Sequence, residues 1–186
     1  MACATILNGL MKDCVLSQGG IRKFVATPRE NIKDMVLFQG EIMWIEIANG
    51  SKFCTYELPP ETGSFVNTWY VDRAANIRYV ESVLSVFFPR MDTAKRVELE
   101  ALAHSELAII VEDNNGKWWY IGDERPCVIS GGTGETGTAA ADRNGYTLSF
   151  TTLSRNLPYG IPAEVVSRLN KDFNWDFNLD YTIYES

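Results

Sequence analysis

The stretch from Asn76 to Phe88 constrains the fold more than any other. Its side chains alternate at period two, the spacing of a β-strand, yet both of the resulting faces are apolar. Val80, Leu84, Val86 and Phe88 fall on one face, and Ile77, Tyr79, Val83 and Phe87 on the other. A strand apolar on both faces must be covered on both. Its own core supplies one cover. In a chain of 186 residues the second is expected from another subunit.

Other strands follow from the same period. Tyr146, Leu148 and Phe150 alternate with Thr147, Ser149 and Thr151, and Met43, Ile45 and Ile47 share a face between Glu41 and Ala48. Ile21–Ala26 and Phe53–Leu58 are two more. Asp92 is placed as the N-cap of one helix over Thr93–Ala103, with Ala94, Val97, Ala101 and Leu102 as its apolar stripe. Leu107–Glu112 and Lys117–Ile121 flank Asn114-Asn115-Gly116, a hairpin signal because Asn-Gly supplies the positive φ of a tight turn. Pro162 is a candidate first residue of a short helix ending at Leu169. Residues 130–145, rich in Gly, Thr and Ala, read as a long mobile loop. The expected organisation is an arm over residues 1–18, a β domain over 19–170 and a tail over 171–186. From Phe173 to Tyr184 the tail alternates aromatic and polar residues and reads as a closing strand.

Charge and cysteine content exclude several classes. The net charge is −7, which argues against gripping nucleic-acid phosphates, since that needs clustered Lys and Arg. No run approaches the roughly 18 apolar residues of a membrane helix, so no membrane insertion is expected. Cys3, Cys14, Cys54 and Cys127 form no Cys-x-x-Cys pair, and His104 is the single histidine. A zinc site is therefore not expected; reduced thiols are. Gly132-Thr133-Gly134-Glu135-Thr136-Gly137 spells the dinucleotide fingerprint, but a helix must follow it and none reads out of the sequence. Thr138 stands where a P-loop needs lysine. No cofactor and no enzymatic activity are expected.

Two aromatic groups stand out. Trp118-Trp119-Tyr120 on a strand points Trp118 and Tyr120 one way and Trp119 the other. Core on one side and subunit contact on the other is the expectation, so Trp118 and Trp119 join Ile77, Tyr79 and Val83 as the candidate subunit interface. Exposed stacking platforms for sugar, Trp118, Trp119 and Trp175, are the alternative. The second group is Phe65, Trp69, Tyr70 and Val71, within a segment from Pro59 to Arg73 that reads as a protruding loop. It follows Pro59-Pro60 and is far longer than the roughly 2–5 residues of an ordinary hairpin connection. Its apolar content suggests a docking surface.

The order of elements from about residue 75 to 157 resembles that of phage tail tube proteins, a family related to the inner tubes of contractile injection systems. The resembling elements are the strand Ile77–Phe88, the helix opened by Asp92, the Leu107–Gly122 hairpin, the Gly-rich stretch and the strand entered by Asp142-Arg143-Asn144-Gly145. Cys14 to Gly19-Gly20-Ile21 is also similar to the opening of tail proteins from phages of gut bacteria. The resemblance implies a mainly β fold, an antiparallel β-sandwich or partly rolled β-barrel flanked by one α-helix, with an N-terminal arm and a long inter-strand loop. It implies self-association into rings, six subunits per ring, stacked as a conduit for genome ejection. The partners would be the chain itself and other tail proteins, with DNA passing an acidic lumen unbound. The site would be the virion tail, after synthesis in the bacterial host cytoplasm. It also assigns the segment Pro59–Arg73, with Phe65, Trp69, Tyr70 and Val71, to contact between rings. A tail terminator, baseplate hub or head-to-tail joining protein is the alternative within the virion.

Overall fold

The computed structural model describes residues 14–169. The expectations for Cys3, for most of the arm and for the tail, Trp175 included, lie outside the described residues. The elements run β1 (Ile21–Pro28), a 3-10 turn (Arg29–Asn31), β2 (Ile32–Phe38), β3 (Glu41–Ile47), β4 (Cys54–Glu57), β5 (Gly63–Asp72), β6 (Ile77–Pro89), α1 (Thr93–Ala103), β7 (Leu107–Asp113), β8 (Trp118–Ile121), β9 (Val128–Glu135), β10 (Gly145–Ser154), β11 (Tyr159–Ile161) and α2 (Ala163–Leu169). They build a β-sandwich. A seven-stranded sheet has the order β2-β3-β11-β8-β7-β1-β4, and a four-stranded sheet the order β5-β6-β10-β9. Among the described residues neither closes into a barrel.

Two apolar cores follow from the strand patterns. The first lies between the sheets and joins Phe24 of β1, Leu84 and Val86 of β6, Ile109 and Val111 of β7, and Phe150 of β10. The second lies on the far face of the seven-stranded sheet. There Val25 of β1 shares a cluster with Ile42 and Ile45 of β3, although three strands separate them in the sheet. The sheet therefore curls, and Val165, Val166 and Leu169 of α2 pack into the same cluster. Strand β7 serves both cores at once. Leu107 to Glu112 are buried one after another, as a strand covered on both faces requires.

Local chemistry sets the element ends. The Asp92 carboxylate accepts the Lys95 backbone N–H at 2.8 Å, the expected N-cap. Leu99 and Leu102 carry α1 onto the core, whereas Ala94, Val97 and Ala101 of the expected stripe are exposed. The helix touches the core through Leu99 and Leu102, so most of its expected apolar stripe faces water. Gly116 has φ +75° in the β7–β8 turn, and Asp113 accepts the backbone N–H groups of Asn115 and Lys117.

Three expectations need correction. Residues 130–145 are not one loop, because Val128–Glu135 form edge strand β9 paired with β10. A Cβ at Gly132 would lie 2.7 Å from Leu148 Cδ2 and 3.0 Å from the Thr147 carbonyl. Glycine lets this strand lie close over its neighbour; it is no phosphate cradle. Pro59–Arg73 is not a loop either. Gly63–Asp72 pair with β6 residue by residue, and the connection shrinks to the turn Arg73–Asn76. On β3 the buried residues are Ile42 and Ile45, while Met43 is exposed. An irregularity in the β2–β3 register shifts the alternation.

Candidate assembly surface

The four-stranded sheet has a covered face and an open one. Alternation on β6 turns Val80, Ser82, Leu84 and Val86 inward, where all four are buried. The other face carries rows of register partners. Val66 (β5), Val83 (β6), Thr151 (β10) and Val128 (β9) form one row, and Ser64, Ser85, Ser149 and Gly131 the next. Hydroxyls knit it: Thr151 donates to Ser130 Oγ at 2.7 Å, and Ser85 and Ser149 lie 3.1 Å apart. Nothing among the described residues covers this face, and Val66 and Val128 stay about half exposed, 53% and 44%.

Toward the hairpin tip the same face becomes aromatic. Tyr70 and Tyr79 stack with ring centroids 4.8 Å apart. The Tyr70 hydroxyl donates to the Glu81 carboxylate at 3.0 Å, and that bond, then the Glu81 charge, raises the phenol above its ordinary value. On the opposite side of the tip the Arg78 guanidinium sits 5.4 Å from the Trp69 ring centroid. Val71 and Ile77 at the end of the hairpin are 60% and 50% exposed. Beside the tip, Ile77, Arg78 and Tyr79 meet Glu124, Arg125, Leu153 and Arg155 around an open concavity of about 850 Å³.

Both edges of this sheet are free among the described residues. Strand β5 offers ten residues and β9 eight. The first charged side chain on β5 is Asp72, its last residue. Long edges without charge are templates for pairing with another chain. The seven-stranded sheet ends differently. Its edge β4 is short, and Tyr56 there stacks on Phe24 at 4.7 Å and donates to Glu98 of α1 at 2.6 Å.

The expected site residues therefore divide. Trp69, Tyr70, Val71 and Ile77 gather at the exposed tip, with Tyr79 half-buried beside them. Val83 lies on the open face. Phe65 faces inward opposite Leu84 and packs on the inter-sheet core, so it is not part of the tip. Trp118 is 8% exposed in the second core and presents no interface. The Lys23 ammonium caps its ring at 5.3 Å and lies 3.3 Å from the Glu112 carboxylate. Trp119 is half-buried and its indole N–H donates to Asp113 at 3.3 Å. Trp118, buried and capped by Lys23, offers no free ring face for sugar stacking.

Chemistry-bearing groups do not converge elsewhere. Among the described residues no three His, Cys, Asp or Glu side chains group to hold a metal, and no helix is long and apolar enough to cross a membrane. Cys14 and Cys54 are exposed; burial pushes the Cys127 thiol up to about 12, against a smaller lowering by Thr152. The Tyr120 hydroxyl is buried without a partner among the described residues, beside a cavity of about 20 Å³. That space is large enough for one water. No family model, curated protein or solved structure matches this chain. Strands β5 and β9 were not expected as paired edges, although the alternation of Phe65, Asn67 and Trp69 and the Val128-Ile129 start signal them.

Proposed function

We propose that this chain is a subunit of a phage tail tube, assembling by edge pairing into rings that stack as a conduit. The observation that carries the reading is the four-stranded sheet, which among the described residues is uncovered on one face and unpaired at both edges. Edge β5 of one copy pairs with edge β9 of the next. Such a contact is head-to-tail, and it ends only when the ring closes. Six copies give a continuous barrel of about 24 strands. At a spacing of about 4.8 Å and a tilt of about 40° its backbone wall is roughly 50 Å across, ample for a DNA duplex.

The open face then lines the lumen. Its Ser and Thr hydroxyls bond to one another, and Asp72, Glu81 and Glu135 add negative charge along its strands. A wall of that character repels phosphates and lets a genome slide. The exposed tip of Trp69, Tyr70, Val71 and Ile77 provides the contact between rings, in place of the loop expected from the sequence. The virion tail is the location this reading gives the chain.

Light scattering and negative-stain electron microscopy across a concentration series test it. Rings that lengthen into tubes are expected. Growth that halts at a single ring would assign the chain to a terminator or joining position instead, and a strictly monomeric protein at tens of micromolar would sink the reading.

A further inference from the structure

We propose that a notch beside the β5–β6 hairpin tip binds an extended peptide of alternating acidic and apolar residues, which adds to β6 where β10 stops. The pairing registers define the notch. Strand β6 pairs with β5 from Ile77 to Val86 but with β10 only from Val80 to Pro89. Ile77, Arg78 and Tyr79 therefore run on past the end of β10, with one side unpaired among the described residues. They leave a strand edge about 10 Å long. Main-chain groups on such an edge are what an extended segment of another chain recognises.

Local chemistry keeps the notch open. Beyond β10 the Arg155 backbone N–H donates to the Glu124 carboxylate at 3.0 Å, and the Ser154 hydroxyl donates to the Asn156 carbonyl at 2.6 Å. Both bonds hold the chain in a turn instead of a further stretch of strand along β6. The Thr152 hydroxyl donates to the Arg125 carbonyl at 2.7 Å, which pins the β8–β9 connection beside the gap. The concavity of about 850 Å³ that results lies within the roughly 300–1,000 Å³ of ligand clefts.

Its walls specify the ligand. Ile77, Tyr79 and Leu153 belong to the open face of the sheet, whereas Arg78 lies on the opposite face, where Arg125 follows from the Thr152 bond. Arg155 stands where β10 turns away. Three exposed guanidiniums thus meet one carboxylate, Glu124, in a chain whose net charge is −7. Arg78 rests on the Trp69 ring at 5.4 Å, and Arg155 Nε is 4.0 Å from Glu124. Neither contact uses the two-pronged donor pair that a guanidinium offers a carboxylate. Successive side chains of an added strand point to opposite sides. Carboxylates at every second position therefore reach Arg78 and Arg125, and the apolar residues between them lie against Ile77, Tyr79 and Leu153. A nucleic-acid strand suits the notch less well, since it has no peptide groups to pair with β6 and the chain's net charge repels phosphates. The inference goes beyond ring formation and does not rest on it.

Fluorescence polarisation of labelled peptides on the full chain tests it. The probe Val-Glu-Val-Glu-Val is expected to bind at least about tenfold more tightly than Val-Lys-Val-Lys-Val. Arg78→Glu/Arg125→Glu should weaken the acidic probe by at least about tenfold with the melting temperature unchanged, because both side chains are exposed. An antiparallel strand added to β6 pairs through one of its two edges. N-methylation of one set of alternate peptide nitrogens should therefore abolish binding, and methylation of the other set should be tolerated. An acidic probe that binds no better than the lysine probe, or as well to the double variant, would overturn the inference. Tolerance of both methylated sets would remove strand addition, and tighter binding of an oligothymidylate would give the notch to phosphates; either result also overturns it.

Discussion

Strands β6 and β7 are both long and both rich in Val, Leu and Ile, yet they live in different surroundings. Strand β7 buries six consecutive residues, because the inter-sheet core lies on one side and α2 with the curled sheet on the other. From Val80 to Val86 strand β6 buries alternate residues, and its other face there meets solvent. The difference is written in what separates the apolar residues. Leu107-Ala108-Ile109-Ile110-Val111 is unbroken, whereas Glu81, Ser82 and Ser85 interrupt β6. A seven-stranded sheet completed on both faces within one chain thus sits beside a four-stranded sheet completed on one. The first makes the fold stable on its own. The second leaves a face with Val66, Val83 and Val128 open to solvent among the described residues.

Truncations on the two strands test that contrast most severely. Ile110→Ala removes a fully buried side chain from the second core and should cost about 2–5 kcal/mol. Val83→Ala, on the open face of β6, should cost about 1 kcal/mol or less. Urea unfolding of both variants at a concentration where the protein is monomeric gives the comparison. Equal costs would mean that the open face is covered within the monomer after all.

The next effect comes from the edge. At Gly132 a Cβ meets Leu148 Cδ2 and the Thr147 carbonyl, so Gly132→Val should cost about 1–3 kcal/mol by overpacking. Gly131 on the same strand has nothing within 4 Å of its Cβ position, and Gly131→Ala should be near neutral in the monomer. A thermal melt of each checks this. The same cost at both would show that backbone freedom, rather than close approach, explains the glycines.

Tyr56 offers a smaller, pH-dependent contrast, at an edge that is tied down. Burial first, and then the hydrogen bond to Glu98, raises its phenol above the ordinary value. Below pH 10 the phenol is protonated in both states and its contribution is complete. Above pH 10 the unfolded chain ionises while the folded one resists, so stability is lost as pH rises. Tyr56→Phe should cost about 0.5–1 kcal/mol at neutral pH through the lost bond and flatten part of the alkaline decline. An undiminished slope between pH 9 and 11 in the variant would transfer that decline to other groups, such as Cys127, whose thiol burial also raises.

Much of this was legible in the sequence, and the failures are informative. The β7–β8 hairpin, α1 and β10 announced themselves through Asn115-Gly116, Asp92 and strict alternation. Strand β5 hid behind Pro59-Pro60, since proline marks the end of one strand without saying how soon the next begins. Strand β9 hid because glycine carries no side-chain period. Strand β2 was missed although Gln39 and Gly40 both take positive φ, 52° and 85°, in the tight turn to β3; glutamine does not advertise that conformation as Asn or Asp would. For the site, Trp69, Tyr70 and Val71 were singled out by composition and Ile77 by its two-sided apolar strand, and all four are exposed. Phe65 and Trp118 were misplaced because apolar character alone does not tell core from surface. Only the partner strand, through the pairing of Phe65 with Leu84, decides which side a residue takes.

The smallest change in stability should have the largest consequence for assembly. Val66 on β5 and Val128 on β9 lie in one row of the open face, at opposite edges of the four-stranded sheet. Each is about half exposed, so Val66→Lys and Val128→Lys should alter monomer stability by about 0.5 kcal/mol or less. Lysine on an edge is also the device by which natural sheets refuse further strands. In a closed ring the two edges meet, which brings the two lysines of the double variant near each other at every seam. Either single variant should weaken association, and the double variant should weaken it further. Val66→Lys mixed with Val128→Glu should recover part of it through opposite charge. Sedimentation velocity on the four samples reads the outcome directly. Unchanged association of the double variant would separate the edges from the subunit contact. The open face of β6 would then have to find its cover by stacking face to face.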